Sequence, residues 1–337
     1  MRKNGPSTLS SRTVAGNAGG MAMNREPDPA RTDVEDRRAS WLRWDTMEVR
    51  GRTVEFGEAG SGPPLLFLHG WGLDHKAYKR PLSRLVASGH RVLAPALPGF
   101  GGSARLRGRD SSLGSLAAWV EEFLDALGVT EPVVVVGHSF GGGVAITFVH
   151  DHPGRARALV LLNSIGGSAW SRHGSAVKSM AERPLWDWGI HFPGDIWPTG
   201  QARRVLPVIL GEALPNLARD PGAFVRAAGV ARRADLTVEL EELERRRFPV
   251  VVLWGRRDKI ITQDSFDTMC EALGDATVLT VDGTHSWMIA DPDTFGEVMT
   301  NVLDVVTGTL PTAPVDRDRP GAGDPGRTVS TRGRPSG

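Results

Sequence analysis

Between Thr46 and Val306 the apolar positions follow two alternating rhythms. Thr46–Val49 and Thr53–Glu58 repeat with a period of two and are joined at Gly51-Arg52, which predicts a hairpin. Leu65–Leu68, after Pro63-Pro64, predicts a buried strand ending at His69-Gly70. Lys76–Ser88 has helical spacing and Arg91–Ala94 returns to strand. Leu113–Leu127 is helical until Gly128 stops it. The four consecutive β-branched residues Val133–Val136 suit a central parallel strand covered on both faces. Phe140–His150 predicts a helix and Ala158–Leu162 another buried strand. The rhythm resumes with a strand at Pro249–Trp254, a helix at Ser265–Leu273 and a strand at Thr277–Val281. A last helix spans Asp291–Val306, with Asp291-Pro292 as its N-cap and first-turn pair. Strands alternating with helices predict an α/β fold with a mostly parallel, doubly wound sheet flanked by helices.

The rhythm breaks at about residues 163–247, which are helical in texture with no buried strand. Connections of about 4–6 residues are usual, so this stretch predicts an inserted α-helical cap. It contains Trp170, Trp186, Trp188 and Trp197. Residues 1–40 have no aromatic residue and no periodicity, and residues 308–337 hold five Pro and five Arg with no aromatic. Such segments bury too little apolar surface to offset the entropy of ordering. Both are expected to be disordered tails around a domain spanning 41–307. Arg37-Arg38 is not followed by an apolar run, and no secretory signal is visible. Met21 and Met23 are alternative starts. No run of 18 apolar residues occurs, so no membrane span is expected and the cytoplasm is the default compartment.

Charge and cysteine content narrow the chemistry. Forty Lys and Arg balance 39 Asp and Glu, which argues against a nucleic-acid partner and against steering of ionic substrates. The single cysteine, Cys270, excludes an internal disulfide and the cysteine-rich zinc sites, and it reads as a buried apolar filler. No Gly-Lys-Ser/Thr follows a glycine-rich stretch, so no phosphate loop is present. No metal or cofactor is expected. The sequence sets no oligomeric state.

Gly137-His138-Ser139-Phe140-Gly141 matches G-x-S-x-G and lies between the four-valine strand and a helix. A serine on so sharp a strand-to-helix turn needs small residues two positions to either side. Gly137 and Gly141 meet that need. The turn would lift the hydroxyl above the sheet edge, beside a helix N-terminus that favours developing negative charge.

Together with His69-Gly70-Trp71-Gly72, Pro98–Ser103, Trp254–Asp258 and Gly283–Trp287, this motif resembles the α/β-hydrolase fold superfamily, in the serine-nucleophile group with a helical cap after the sixth strand. The resemblance covers about residues 46–307. It implies a catalytic triad in the order serine, acid, histidine. Ser139 would be the nucleophile. Of the later histidines, His150 and His152 end the helix after the elbow, His173 and His191 fall in the insert, and only His285 follows a late strand. Asp258, just after a strand, would be the acid that orients His285, with Asp264, Asp275 and Asp282 as alternatives. Some relatives carry the acid after the sixth strand, where this chain has the uncharged Asn163. By similarity, the backbone N–H groups of Trp71 and Phe140 would form the oxyanion hole, and His69 would be structural. Serine rather than aspartate at 139, and a lone Tyr78 outside the cap, argue against dehalogenase and epoxide hydrolase chemistry.

The resulting expectation is a carboxylic ester hydrolase acting on a small to medium substrate with an apolar part. A carbon–carbon bond hydrolase, a cofactor-free perhydrolase and a non-catalytic ligand-binding relative are the alternatives. The cap tryptophans could line the pocket or pack the cap, and Trp287 is the better pocket candidate.

Overall fold

The computed structural model describes residues 42–106, 112–168, 202–274 and 276–307. Eight strands form one sheet: β1 (Arg43–Glu48), β2 (Thr53–Ala59), β3 (Pro64–Leu68), β4 (Arg91–Pro95), β5 (Val133–His138), β6 (Ala156–Leu162), β7 (Val250–Gly255) and β8 (Thr277–Val281). Their order is β1-β2-β4-β3-β5-β6-β7-β8. β2 runs antiparallel to both of its neighbours, β1 and β4, and every pair from β4 to β8 is parallel. The β1–β2 turn closes with paired Val49–Arg52 backbone bonds of 2.9 and 3.1 Å. Arg50 (φ 50°) and Gly51 (φ 72°) are its central residues. Positive φ at both marks the tight turn whose twist matches a hairpin. The turn therefore sits one residue earlier than the expected Gly51-Arg52.

Each central strand is buried on both faces, and its side chains alternate between two cores. Leu66, Val135, Leu161 and Val252 share one core with α2 (Leu113–Ala126) and α3 (Phe140–Asp151). Leu65, Val134, Val160 and Val251 face α1 (Lys79–Ala87) across the other. This two-sided cover explains why the strands read as unbroken apolar runs. The continuous helix expected over Lys76–Ser88 is instead a 3-10 turn at His75–Tyr78 followed by α1. Pro81 is the reason. It has no N–H to give the residue 77 carbonyl, so an α-helix is possible only with Pro81 in its first turn.

Between β6 and β7 lie α4 (Ala202–Arg219), α5 (Pro221–Arg233) and α6 (Thr237–Arg245). Asp220 caps α5, accepting from Ala223 N–H at 2.8 Å ahead of Pro221. Then come α7 (Gln263–Leu273), α8 (Trp287–Ala290) and α9 (Pro292–Val306). Asp291 caps α9, accepting from Thr294 N–H at 3.2 Å. No described helix is long and apolar enough to cross a membrane. Trp170, Trp186, Trp188, Trp197, His173, His191, Asp275 and both expected tails lie outside the described residues.

Candidate active site

Ser139 sits between β5 and α3 with φ 53° and ψ −118°. A non-glycine residue in that region is strained and must be held from outside. The restraint is visible in its backbone. Its N–H donates to the Leu162 carbonyl at 3.0 Å, and its carbonyl accepts from Gly142 at 3.0 Å and Ile165 at 3.2 Å. The glycines make this packing possible. A Cβ on Gly137 would lie 2.6 Å from Gly142 Cα, and one on Gly141 would lie 2.2 Å from the Leu68 carbonyl oxygen.

The ends of β7 and β8 meet beside the elbow. Gly255 lets them approach, since a Cβ there would lie 2.7 Å from the Gly283 carbonyl oxygen. Asp258 and His285 occupy the two loops that follow, with His285 Nδ1 2.8 Å from Asp258 Oδ2. Both side chains are buried. Every acceptor direction on Asp258 is used. Oδ2 also accepts from Asn163 Nδ2 at 2.6 Å, and Oδ1 accepts from the N–H groups of Ile260 at 2.8 Å and Ile261 at 3.0 Å. Burial pushes the carboxyl pKa up, but His285, Asn163 and Ile261 outweigh it and hold it below the usual range. Asn163 is fully buried with φ 43°, and its Oδ1 accepts from Trp287 Nε1 at 3.0 Å.

A cavity of about 540 Å³ joins these parts. Ser139, His285, Trp71 and Phe140 all line it. Phe140 opens α3, so its N–H belongs to the first turn, where no helix carbonyl can accept it. Leu206, Ile209 and Leu210 of α4, Phe224 of α5, and Ile260 and Ile261 supply an apolar wall. Trp71 packs on Phe224 with ring centroids 4.4 Å apart and planes tilted by 52°, and it donates from Nε1 to the Phe224 carbonyl at 2.8 Å. His69 is a loop brace: Nδ1–H donates to the Gly70 carbonyl at 2.9 Å, and Nε2 accepts from Leu97 N–H at 2.8 Å. Burial lowers its pKa against the opposing pull of Gly70 and Asp74.

The family model for the alpha/beta hydrolase family matches residues 65–298. The chain belongs to the alpha/beta hydrolase family. A Mycobacterium phage D29 protein assigned as a non-heme haloperoxidase is 30% identical over 263 residues, covering 75% of this chain and 92% of that one. Among solved structures, a bacterial membrane phospholipase A matches with a TM-score of 0.65 at 23% identity, covering 82% of this chain and 91% of that one. An esterase from Exiguobacterium antarcticum matches with a TM-score of 0.63 at 18% identity, covering 78% and 100%. At such identities the solved structures speak for the shared hydrolase fold alone.

Within this alpha/beta hydrolase the two described alternative acids, Asp264 and Asp282, lie elsewhere. Asp264 is in the first turn of α7, and Asp282 is exposed and paired with Arg257 Nε at 2.9 Å. His150 Nδ1 meets Asp151 at 2.7 Å at the far end of α3. Cys270 is only partly buried, not a full core filler. The expected pocket role of Trp287 is corrected: its ring is buried, it braces Asn163, and it is not among the cavity-lining residues. Two polar groups escaped sequence reasoning. In the sequence Asn163 stands out only as a missing charge. Asn216 of α4 is buried, accepting from Gly101 N–H at 2.9 Å and donating to the Gly72 carbonyl at 3.2 Å. An asparagine in a helix between apolar positions was the only available signal.

Proposed function

We propose that the protein is a serine hydrolase that cleaves esters with an apolar acyl part. The observation that carries this reading is the buried His285–Asp258 pair opening on the same apolar cavity as the strained Ser139. Asp258 accepts a hydrogen bond from Nδ1–H of His285, so acid–base chemistry falls to Nε2. Nε2 draws the proton from Ser139 Oγ as the oxygen attacks the acyl carbon. The N–H groups of Trp71 and Phe140 hold the oxyanion. His285 then returns the proton to the leaving alcohol, and water releases the acid from Ser139 by the reverse sequence. The helices between β6 and β7 act as the cap, and their leucines select uncharged acyl groups. The phage relative favours one second reading, in which hydrogen peroxide replaces water as the acyl acceptor and a peracid leaves.

A fluorophosphonate probe tests the nucleophile. Folded protein should label and Ser139→Ala should not; labelling that survives in Ser139→Ala overturns the assignment. A panel of p-nitrophenyl esters, with and without peroxide, then separates hydrolysis from perhydrolysis.

A further inference from the structure

The proposed chemistry leaves two buried polar side chains unused, and they line the same cavity as the nucleophile. Tyr78 and His138 are both buried. The Gly70 N–H lies 3.1 Å from Tyr78 Oη, Tyr78 Oη lies 2.8 Å from His138 Nδ1, and His138 Nε2 lies 3.1 Å from the His285 carbonyl oxygen. The two ends fix the direction. A backbone N–H only donates and a carbonyl only accepts. His138 Nε2 therefore carries its proton, the neutral ring accepts at Nδ1, and the Tyr78 hydroxyl donates there while accepting from Gly70. Burial keeps both groups in these forms. It pushes the phenol pKa of Tyr78 up, and it lowers His138 to about 3, with His285 as a further cause.

We propose that Tyr78 and His138 are positioning residues, a directed hydrogen-bond relay that locks the oxyanion loop at Gly70-Trp71 to the histidine loop at His285. The relay spans two loops whose relative placement sets the distance between the oxyanion donors and the base. It passes through His138, the residue immediately before Ser139. Gly70 is packed against all three parts, since a Cβ on it would lie 3.0 Å from His138 Nδ1, 3.1 Å from Tyr78 Oη and 3.3 Å from Ser139 Cβ. The His138 and His285 rings lie 4.9 Å apart, so a neutral His138 also avoids opposing the positive charge that His285 gains in the reaction. A small error in aligning reacting groups costs rate rather than binding. The relay therefore acts on kcat.

This inference rests on the serine-hydrolase reading, and its test separates the two. Tyr78→Phe removes one hydroxyl and keeps the ring that packs on Phe67. With a p-nitrophenyl ester, kcat should fall roughly 10- to 100-fold, as expected for loss of one buried partner, with KM within about twofold. His138→Leu should fall as far, while His138→Gln, which still offers an acceptor and a donor, should stay within a few-fold of wild type. Unchanged kcat in Tyr78→Phe, or equal kcat in the Gln and Leu variants, overturns the proposal. Imidazole 15N spectra of the whole chain decide the relay without turnover. His138 should be a neutral Nε2–H tautomer in wild type and should lose that single form in Tyr78→Phe. A protonated or Nδ1–H ring in wild type overturns the relay. Absence of fluorophosphonate labelling in wild type, by contrast, counts against the hydrolase reading alone.

Discussion

Removing the Asn163 side chain tests how the buried Asp258 carboxylate is held. Asn163 makes a 2.6 Å bond to Asp258 and accepts one of 3.0 Å from Trp287, all out of contact with water. Deleting it takes one donor from a buried carboxylate, worth about 1.5–3 kcal/mol, and orphans a buried indole N–H at about 1–3 kcal/mol. Asn163→Gly should therefore lose roughly 2.5–6 kcal/mol, a large share of the ~5–15 kcal/mol typical of a domain. Asn163→Ala should lose about 1 kcal/mol more, because φ is 43° there and alanine has a Cβ to place. Asp258 keeps its bonds to His285, Ile260 and Ile261, so kcat should drop only about tenfold in protein that remains folded. Urea denaturation of the two variants, with esterase rates on the folded fraction, measures both effects. Losses under about 0.5 kcal/mol in both variants would refute the assignment of Asn163 as a brace, since that is the range of ordinary surface changes.

His75 is buried with neither ring nitrogen partnered, and burial lowers its pKa to about 3, so the folded protein takes up its proton later than the unfolded chain. Stability present above about pH 6.5 is then lost as pH falls toward 3; His75→Phe should gain on wild type by about 1.4 kcal/mol per pH unit over that window, and parallel urea midpoints from pH 6 to 4 would contradict it. The lowered Asp258 adds a further loss only at more acid pH, as its folded-state carboxylate is protonated. Gly141→Ala should give no soluble, active protein, since its Cβ would meet the Leu68 and His69 carbonyl oxygens at 2.2 and 2.5 Å; a folded, active variant by circular dichroism and esterase assay would show that the turn can shift. Leu210→Trp narrows the cavity wall and should move the ester preference toward shorter acyl chains; an unchanged chain-length profile would place the acyl group elsewhere.

The sheet was legible because its signals are local. Four valines in a row, or a proline pair before Leu65–Leu68, speak for themselves without knowledge of partners. The elbow was legible because its motif is contiguous, and Gly137 answers to Gly141 and Gly142, although Gly141 is packed against the distant Leu68 and His69 carbonyls. Asp258 and His285 needed the order of the family motifs as well as the end of a strand. The relay from Gly70 through Tyr78 to His138 was not legible, because residues 78 and 138 meet only once β3 pairs with β5. Asn163 escaped for a chemical reason. Its amide carries no charge, and charge was the property sought at that position. Trp287 misled because nearness in sequence to His285 says nothing of which way the following α8 turns its side chains.

Asn216 has a consequence for anyone who would exchange the segment between β6 and β7. One amide binds the Gly101 N–H and the Gly72 carbonyl, in two loops that belong to the sheet and follow β4 and β3. A foreign segment grafted in its place would leave both backbone groups buried and unanswered. The segment is therefore not a detachable module. Chimeras that transplant new specificity should retain α4 through Asn216, or redesign both loops in the same step.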